Sequence, residues 1–375
     1  MDMIPLAIPD LRGRESEYLK NCVDDNWVSS AGPYVTEFEE RTAALTGRKH
    51  AVAMVNGTTA LQLALEVAGV RPGDAVIIPD WTFAATANAV IHAGAIPVFV
   101  DVTWESWTLD PDLAAAAISR FSDMKIAAIV AVHSLGHPAD IDALNDVSSA
   151  IGIPLIEDAA GAIGTLYKGR PAAGLADLAT LSFNGNKLIT AGGGGMILTD
   201  DQQQAARARH LSSQARVGSR YQHDAIGYNY RMTNVNAAIG LAQVERLDEM
   251  IGTKRAIASR YDTALSGRED ISPMPRCEWA TINGWLYSVL CGSVADAESL
   301  IQHMQDNKIQ ARSFWESLSA QPPYAAYPKH LSGVSVSLSG RVVSLPCSSN
   351  LNADQQTRVL DALAAWQGQQ PVKAA

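Results

Sequence analysis

Residues 50–70 read HAVAMVNGTTALQLALEVAGV, and their order decides the fold. A short apolar run is followed by Asn56-Gly57-Thr58-Thr59 and then by ALQLALEVAGV, whose apolar positions recur at helical spacing until Gly69. That is strand, polar turn, helix. The alternation continues downstream: AVIIP (75–79), IPVFVDV (96–102), KIAAIVAVH (125–133) and GIPLIED (152–158) are nearly continuous apolar runs separated by helical stretches. Strands with no polar face are covered on both sides, and successive parallel strands need crossovers. An α/β layered unit is therefore predicted over about residues 45–245.

Beyond Asn236, AAIGLAQVERLDEMIGTKRAIASRYDTALSG (237–267) keeps helical spacing up to a closing glycine and predicts one long helix leaving that unit. WLYSVLCGSV (285–294) and RVVSLPC (341–347) read as strands, with AESLIQHMQDN (297–307) and ADQQTRVLDALAAWQ (353–367) as helices. The expected division is an N-terminal arm and large domain over 1–245 and a smaller α+β domain over 246–375. The closing GQQPVKAA (368–375) is expected to fray.

The chain has 375 residues, 47% of them hydrophobic and 18% charged, which excludes a disordered chain and allows two domains around a large core. A net charge of -10 argues against binding to a nucleic-acid backbone, which needs clustered Lys and Arg. Cys22, Cys277, Cys291 and Cys347 are too few and too scattered for a disulfide scaffold or a zinc knuckle, so a reducing, cytoplasmic setting is expected. The opening MDMIPLAIPDLRGRESEYLK lacks a basic segment ahead of its apolar residues, so no signal peptide is expected. Trp81 to Val100 carries no charged side chain, yet Asn88, His92, Gly94 and Pro97 interrupt it. It reads as a buried helix followed by a core strand, not a membrane span.

Three constellations carry chemistry. At Asn56-Gly57-Thr58-Thr59, free amides and hydroxyls at a helix N-terminus can surround a phosphate, although the same residues serve equally as an ordinary cap. The turn has neither the lysine of a nucleotide phosphate loop nor the spaced glycines of a dinucleotide site, which disfavours a nicotinamide oxidoreductase. Glu157-Asp158 closes an apolar run, and carboxylates at the carboxyl ends of parallel strands border the ligand crevice. Asp158 there can accept a hydrogen bond from a protonated ring nitrogen or can cap a helix. In Ser182-Phe183-Asn184-Gly185-Asn186-Lys187, a lysine without charged neighbours can lose its proton and attack a carbonyl, unless it is simply a surface residue. Gly192 to Gly195 would let the backbone pass close to a planar ligand or make a flexible turn. An aldehyde, a basic ring nitrogen and a phosphate in one ligand describe pyridoxal phosphate.

GPYVTEFE (32–39), NGTTALQLAL (56–65), DWTFAATANAVIHAGAIPVFVDV (80–102), EDAAGAIG (157–164), SFNGNK (182–187), GYNYRMTNVNAAIGLAQVERLD (227–248) and VSLPCS (343–348) occur in this order. Together they resemble the nucleotide-sugar aminotransferases of the DegT/DnrJ/EryC1/StrS family, over about Ile4 to Leu363. The resemblance implies an aspartate-aminotransferase-like fold of type I, with a large, mostly parallel seven-stranded sheet and a smaller α+β C-terminal domain. It makes Lys187 the residue joined covalently to pyridoxal phosphate and the proton carrier of the reaction, with pyridoxamine phosphate as the intermediate form of the cofactor. Asp158 would hold the pyridine nitrogen, Phe83 would stack on the ring, and Gly57, Thr58 and Ser182 would bind the phosphate. Asn229 would reach that phosphate from a neighbouring subunit, which implies a homodimer. A dehydratase branch of the family carries His where this chain has Lys187, so transfer of nitrogen is expected. A cofactor-free binding protein of the same fold is the non-enzymatic alternative.

Many such relatives carry Gln or His at the position of Gly161, and this chain has no side chain there. Asn184-Gly185-Asn186 is similar to enzymes acting on UDP-linked 2-acetamido-4-keto-6-deoxyhexoses, of the bacillosamine or legionaminic type. Amination at C4 of such a UDP-sugar, with L-glutamate as donor and 2-oxoglutarate as the second product, is the expected reaction. The alternatives are a GDP-4-keto-6-deoxymannose 4-aminotransferase (perosamine synthase) and a C3-specific enzyme. Arg231 is a candidate for acidic substrate groups. His133, Tyr324, Ser29 and Ser30 are expected near the cleft in structural roles.

Overall fold

The computed structural model describes residues 2–372. Twelve strands position the site or its surroundings: β1 (His50–Met54), β2 (Ala75–Pro79), β3 (Ile96–Val100), β4 (Ile126–Val132), β5 (Leu155–Asp158), β6 (Leu178–Ser182), β7 (Gly195–Thr199), β8 (Ile271–Pro273), β9 (Tyr287–Cys291), β10 (Arg312–Ser313), β11 (Lys329–His330) and β12 (Val342–Leu345). The main sheet runs β1-β7-β6-β5-β4-β2-β3-β11. Pairing is parallel from β6 through β5, β4, β2 and β3 to β11, while β7 lies antiparallel between β1 and β6.

The apolar runs divide between two faces, as period-2 geometry requires. On β2, Val76 and Ile78 pack with Leu61, Leu63 and Leu65 of the helix Gly57–Val67. Ala75 and Ile77 turn the other way, toward Ile141 and Leu144 of the helix Ile141–Ala150. The expected layered unit is thus present, with seven strands as anticipated plus one short edge strand. That eighth strand, β11, aligns Lys329 with Phe99 and His330 with Val100. Just beyond it, the buried Asp101 carboxylate accepts from the amides of Ser332, Gly333, Val334 and Ser335 and fixes the return of the chain.

The C-terminal part holds the antiparallel sheet β8-β9-β12-β10, flanked by the helices Val294–Asp306 and Ala353–Ala365. The single helix expected over 237–267 is instead two, Asn234–Val244 and Leu247–Leu265. The N-terminal segment holds the break. Tyr18 Oη donates to Glu245 Oε1 at 2.6 Å, and Arg246 pairs with Asp10 at 3.3 Å. Farther upstream Ile4 bridges to Ile309, so the N-terminal arm also runs along the C-terminal part. The predicted fraying of 368–375 does not hold as far as Val372. The amides of Gly368 and Gln369 donate to Asp270 and Asp296, and that of Val372 to the Glu269 carbonyl; Lys373–Ala375 lie outside the described residues. Among the described residues no helix is long and apolar enough to cross a membrane, and all four cysteines are free.

Candidate active site

A cavity of about 430 Å³ opens at the carboxyl ends of the parallel strands, where an open α/β sheet leaves its crevice. Gly57, Thr58, Phe83, Asp158, Ser182 and Lys187 line it together. These residues are far apart in sequence, and the crossovers of the sheet bring them to one wall.

Asn56 caps the helix Gly57–Val67, its Oδ1 accepting from the amide of Thr59 at 2.8 Å. The capping expectation holds, yet it does not exhaust the turn. The amides of Gly57 and Thr58 precede the first intrahelical bond, carry no acceptor within the helix, and lie at its positive end. A Cβ at Gly57 would stand 2.9 Å from Ser182 Cβ, so the missing side chain lets the end of β6 bring the Ser182 hydroxyl against that helix end.

Strand alternation separates the two carboxylates of β5. Glu157 is fully buried on the face away from the cavity. It accepts from His133 Nε2 at 2.9 Å and from the amides of Ala173, Leu175 and Ala176. Burial pushes its pKa up, but the hydrogen bonds from His133 and from the amides of Leu175 and Ala176 outweigh burial and hold it below the usual carboxylate range. Asp158 faces the cavity instead. Its Oδ2 accepts from Thr86 Oγ1 at 2.9 Å and its Oδ1 from the amide of Ala160 at 3.2 Å, and it caps a turn, not a helix.

Lys187 follows the turn Asn184–Asn186, its amide bonded to the Asn184 carbonyl at 3.0 Å. The residue is partly exposed, but its amine is buried. Burial pulls the amine pKa down to about 8, against the opposing charge of Asp158. The amine lies 3.8 Å from the ring centroid of Trp285. Phe83, which could have been an ordinary core residue, is 62% exposed on the cavity wall, where its face is free to stack on a planar group.

Asn229 is not brought to the cavity by its own chain; it is exposed and bridges to Ser213. Arg231 does not line the cavity; its Nη1 donates to Glu39 at 3.2 Å, a carboxylate shared with Arg209. His133 is held by Glu157 and by the amide of Ala139, and Tyr324 donates to Asn88, both in structural roles although His133 borders the cavity. Ser29 is exposed and accepts from the amide of Asn234, and Ser30 is exposed. Asn184 Nδ2 donates to Asn186 Oδ1 within its own turn. Thr86, Trp285, Arg312, Phe314 and Trp315 line the cavity without having been singled out from the sequence. The signal for Trp285 was indirect: a glycine at 161 leaves room that some other side chain must fill.

These residues suit pyridoxal phosphate. The free amides and a hydroxyl at a helix N-terminus match a phosphate, a carboxylate matches a ring nitrogen, an aromatic face matches the ring, and a desolvated amine matches an aldehyde. Among the described residues no group of His, Cys, Asp and Glu could hold a metal ion.

Residues 9–364 match the model of the DegT/DnrJ/EryC1/StrS aminotransferase family. The chain belongs to that family. GDP-perosamine synthases of Escherichia coli O157:H7 and Caulobacter vibrioides are 36% and 37% identical to this aminotransferase, over 97% and 96% of its chain and 98% and 97% of theirs. Among solved structures, DesV of S. venezuelae superposes with a TM-score of 0.90 at 30% identity, covering 98% of this chain and 99% of that one. A PLP form of the sugar aminotransferase Spr1654 of Streptococcus pneumoniae superposes at 0.90 with 25% identity, covering 97% and 98%, and a PMP form is also solved. The fold is that of the type I aminotransferases, and the protein is a pyridoxal phosphate-dependent nucleotide-sugar aminotransferase.

Proposed function

We propose that the enzyme moves the amino group of L-glutamate to C4 of a GDP-linked 4-keto-6-deoxyhexose, releasing 2-oxoglutarate. The observation that carries the chemistry is the convergence of the Lys187 amine, the Asp158 carboxylate and the free end of the helix Gly57–Val67 on one cavity. Pyridoxal phosphate, when bound, supplies the aldehyde carbon and the electron-accepting ring.

In this reading Lys187 holds that carbon and Asp158 holds the ring nitrogen. Phe83 covers a ring face, and Gly57, Thr58 and Ser182 hold the phosphate. Once free, Lys187 Nζ takes a proton from Cα of the donor and later delivers one to the sugar carbon. With burial holding its pKa near 8, a larger fraction of the amine is uncharged at neutral pH than for an ordinary lysine. That fraction makes a proton carrier workable near neutrality, and it grows as the pH rises toward 8.

The GDP-perosamine synthases that match nearly end to end support a GDP-sugar. The UDP-sugar expectation rested on Asn184–Asn186, and the Asn184 side chain bonds within that turn. The phosphate site is completed by the partner subunit's Asn229. In favour of such a dimer, the hairpin region beside position 229, where Arg216–Val217 pairs with Gln222–His223, carries Tyr221 and, just after it, Ile226, which are 88% and 91% exposed. The test is amination of GDP- and UDP-linked 4-keto-6-deoxyhexoses with L-glutamate, read by mass spectrometry with the new C–N bond located by NMR. A GDP-4-amino sugar is expected. Turnover of the UDP-sugars alone, or amination at C3, overturns the assignment.

A further inference from the structure

We propose that Trp285 is the positioning residue for Lys187: its indole occupies the room left at Gly161 and seats the amine on its face. The inference rests on Lys187 being the reacting amine. Three observations carry it.

The first is steric. A Cβ built on Gly161 would stand 2.3 Å from Trp285 Cε3 and 2.5 Å from Cζ3, distances no real contact shows. The glycine is therefore there for space, and the indole fills that space. The second is that the indole is fixed on several sides. Its Nε1 donates to the Asn186 carbonyl at 2.8 Å, one residue before Lys187. Its own amide donates to Asn283 Oδ1 at 2.9 Å, and Asn283 Nδ2 donates to the carbonyls of Gly161 and Ile163, each at 2.9 Å. Position 161, the Asn283–Trp285 segment and the turn before Lys187 are thus one locked unit. The third is the contact itself. The amine sits 3.8 Å from the ring centroid, and no hydrogen bond contributes to its electrostatics. A charged amine over an indole is attracted by the ring quadrupole, most strongly where water is excluded.

Aliphatic or aromatic bulk at 285 would serve equally if the residue only filled space; the ring face is what the proposal requires. The measurement is the reaction of Lys187 with formaldehyde and cyanoborohydride in full-length protein stripped of cofactor, followed by peptide mass spectrometry across pH. Asp158, His133 and Arg312 also border the cavity and are the same in every variant, so a difference between variants reads the ring. Trp285→Phe keeps a ring face and is expected to keep the wild-type inflection. Trp285→Leu keeps the site dry without a ring, and its inflection is expected to fall by roughly half to one and a half pH units. Gly161→Ala drives a methyl into the indole and is expected to shift in the same direction as Trp285→Leu.

A second readout is borohydride capture of pyridoxal phosphate on Lys187 at a pH above every inflection, where the amine is uncharged in all variants and the rate reads its position alone; it is expected to stay within about threefold of wild type for Trp285→Phe and to slow further for Trp285→Leu. If Gly161→Ala does not fold, as judged by thermal unfolding, the Phe and Leu variants decide between them. Equal inflections for Phe and Leu overturn the proposal. Labelling Lys187 needs neither sugar nor amino donor, so a failed substrate assignment and a failed role for Trp285 give different results.

Discussion

Glu157 and Asp158 are neighbours of identical charge with opposite fates, and the strand alone separates them. Period-2 geometry sends Glu157 into a closed network of His133, the buried Arg48 and three amides, and sends Asp158 into the cavity beside Thr86. A partner removed from a buried, hydrogen-bonded charge leaves the rest unsatisfied. Glu157→Gln is therefore expected to lower stability by about 3 kcal/mol, measured by denaturant unfolding, with turnover per folded molecule little changed. Asp158→Asn should do the reverse. Its two hydrogen-bonding neighbours can still be met by an amide, so unfolding is expected to move by about 1 kcal/mol or less. Loss of the charge should cost turnover about a hundredfold or more. Equal turnover in the two variants would remove Asp158 from the mechanism. Both carboxylates are visible in GIPLIED, and which faces the cavity follows from the register of the strand, which the apolar run alone does not reveal.

At the scale of elements, the strand-turn-helix beginning at His50 is legible because each part obeys a local rule: apolar run, Asn cap, helical spacing. The same holds for β2 to β5, whose residues need no distant partner to read as buried strands, whereas β6 (LATLS) is not among the strands read from the sequence. Elements made by tertiary contact are not legible. β11 is two residues long and has no periodicity of its own, and the break after Val244 is imposed by Tyr18 and Asp10 from the other end of the chain. Trp285 and Arg312 reach the cavity from the C-terminal part, so no spacing within the large unit points to them. The helix Gly57–Val67 offers a test at this scale. Gly57→Ala adds a methyl 2.9 Å from Ser182 Cβ, in a backbone conformation that Ala tolerates, so helix and β6 must part slightly. Cofactor affinity is expected to fall about tenfold, read by equilibrium titration of the stripped protein, because two phosphate ligands lose their alignment together. Unchanged affinity would mean that the phosphate lies elsewhere. Asn56→Ala instead removes a cap and should cost about 1 kcal/mol of stability.

For the whole molecule the open question is which chain completes the site. Within one chain Asn229 lies outside the cavity that holds Lys187, beside an exposed hairpin region that carries Tyr221 and Ile226 among charged and polar residues. If the phosphate is held by Lys187's own chain together with the partner subunit's Asn229, two damaged chains can repair each other. Lys187→Ala and Asn229→Ala homodimers should each be nearly inactive, since every site carries the defect. In a mixed dimer one site gathers both defects, while the other takes its lysine from one chain and its asparagine from the other and is intact. Random re-association makes half of the dimers mixed, so a mixture of the two proteins is expected to recover about a quarter of wild-type activity per site. The gain should vanish when the chains are cross-linked as homodimers before mixing. If each chain carried a complete site, mixing could give no more than the sum of the two separate preparations, and an Asn229→Ala protein active by itself would return Asn229 to the surface of its own chain.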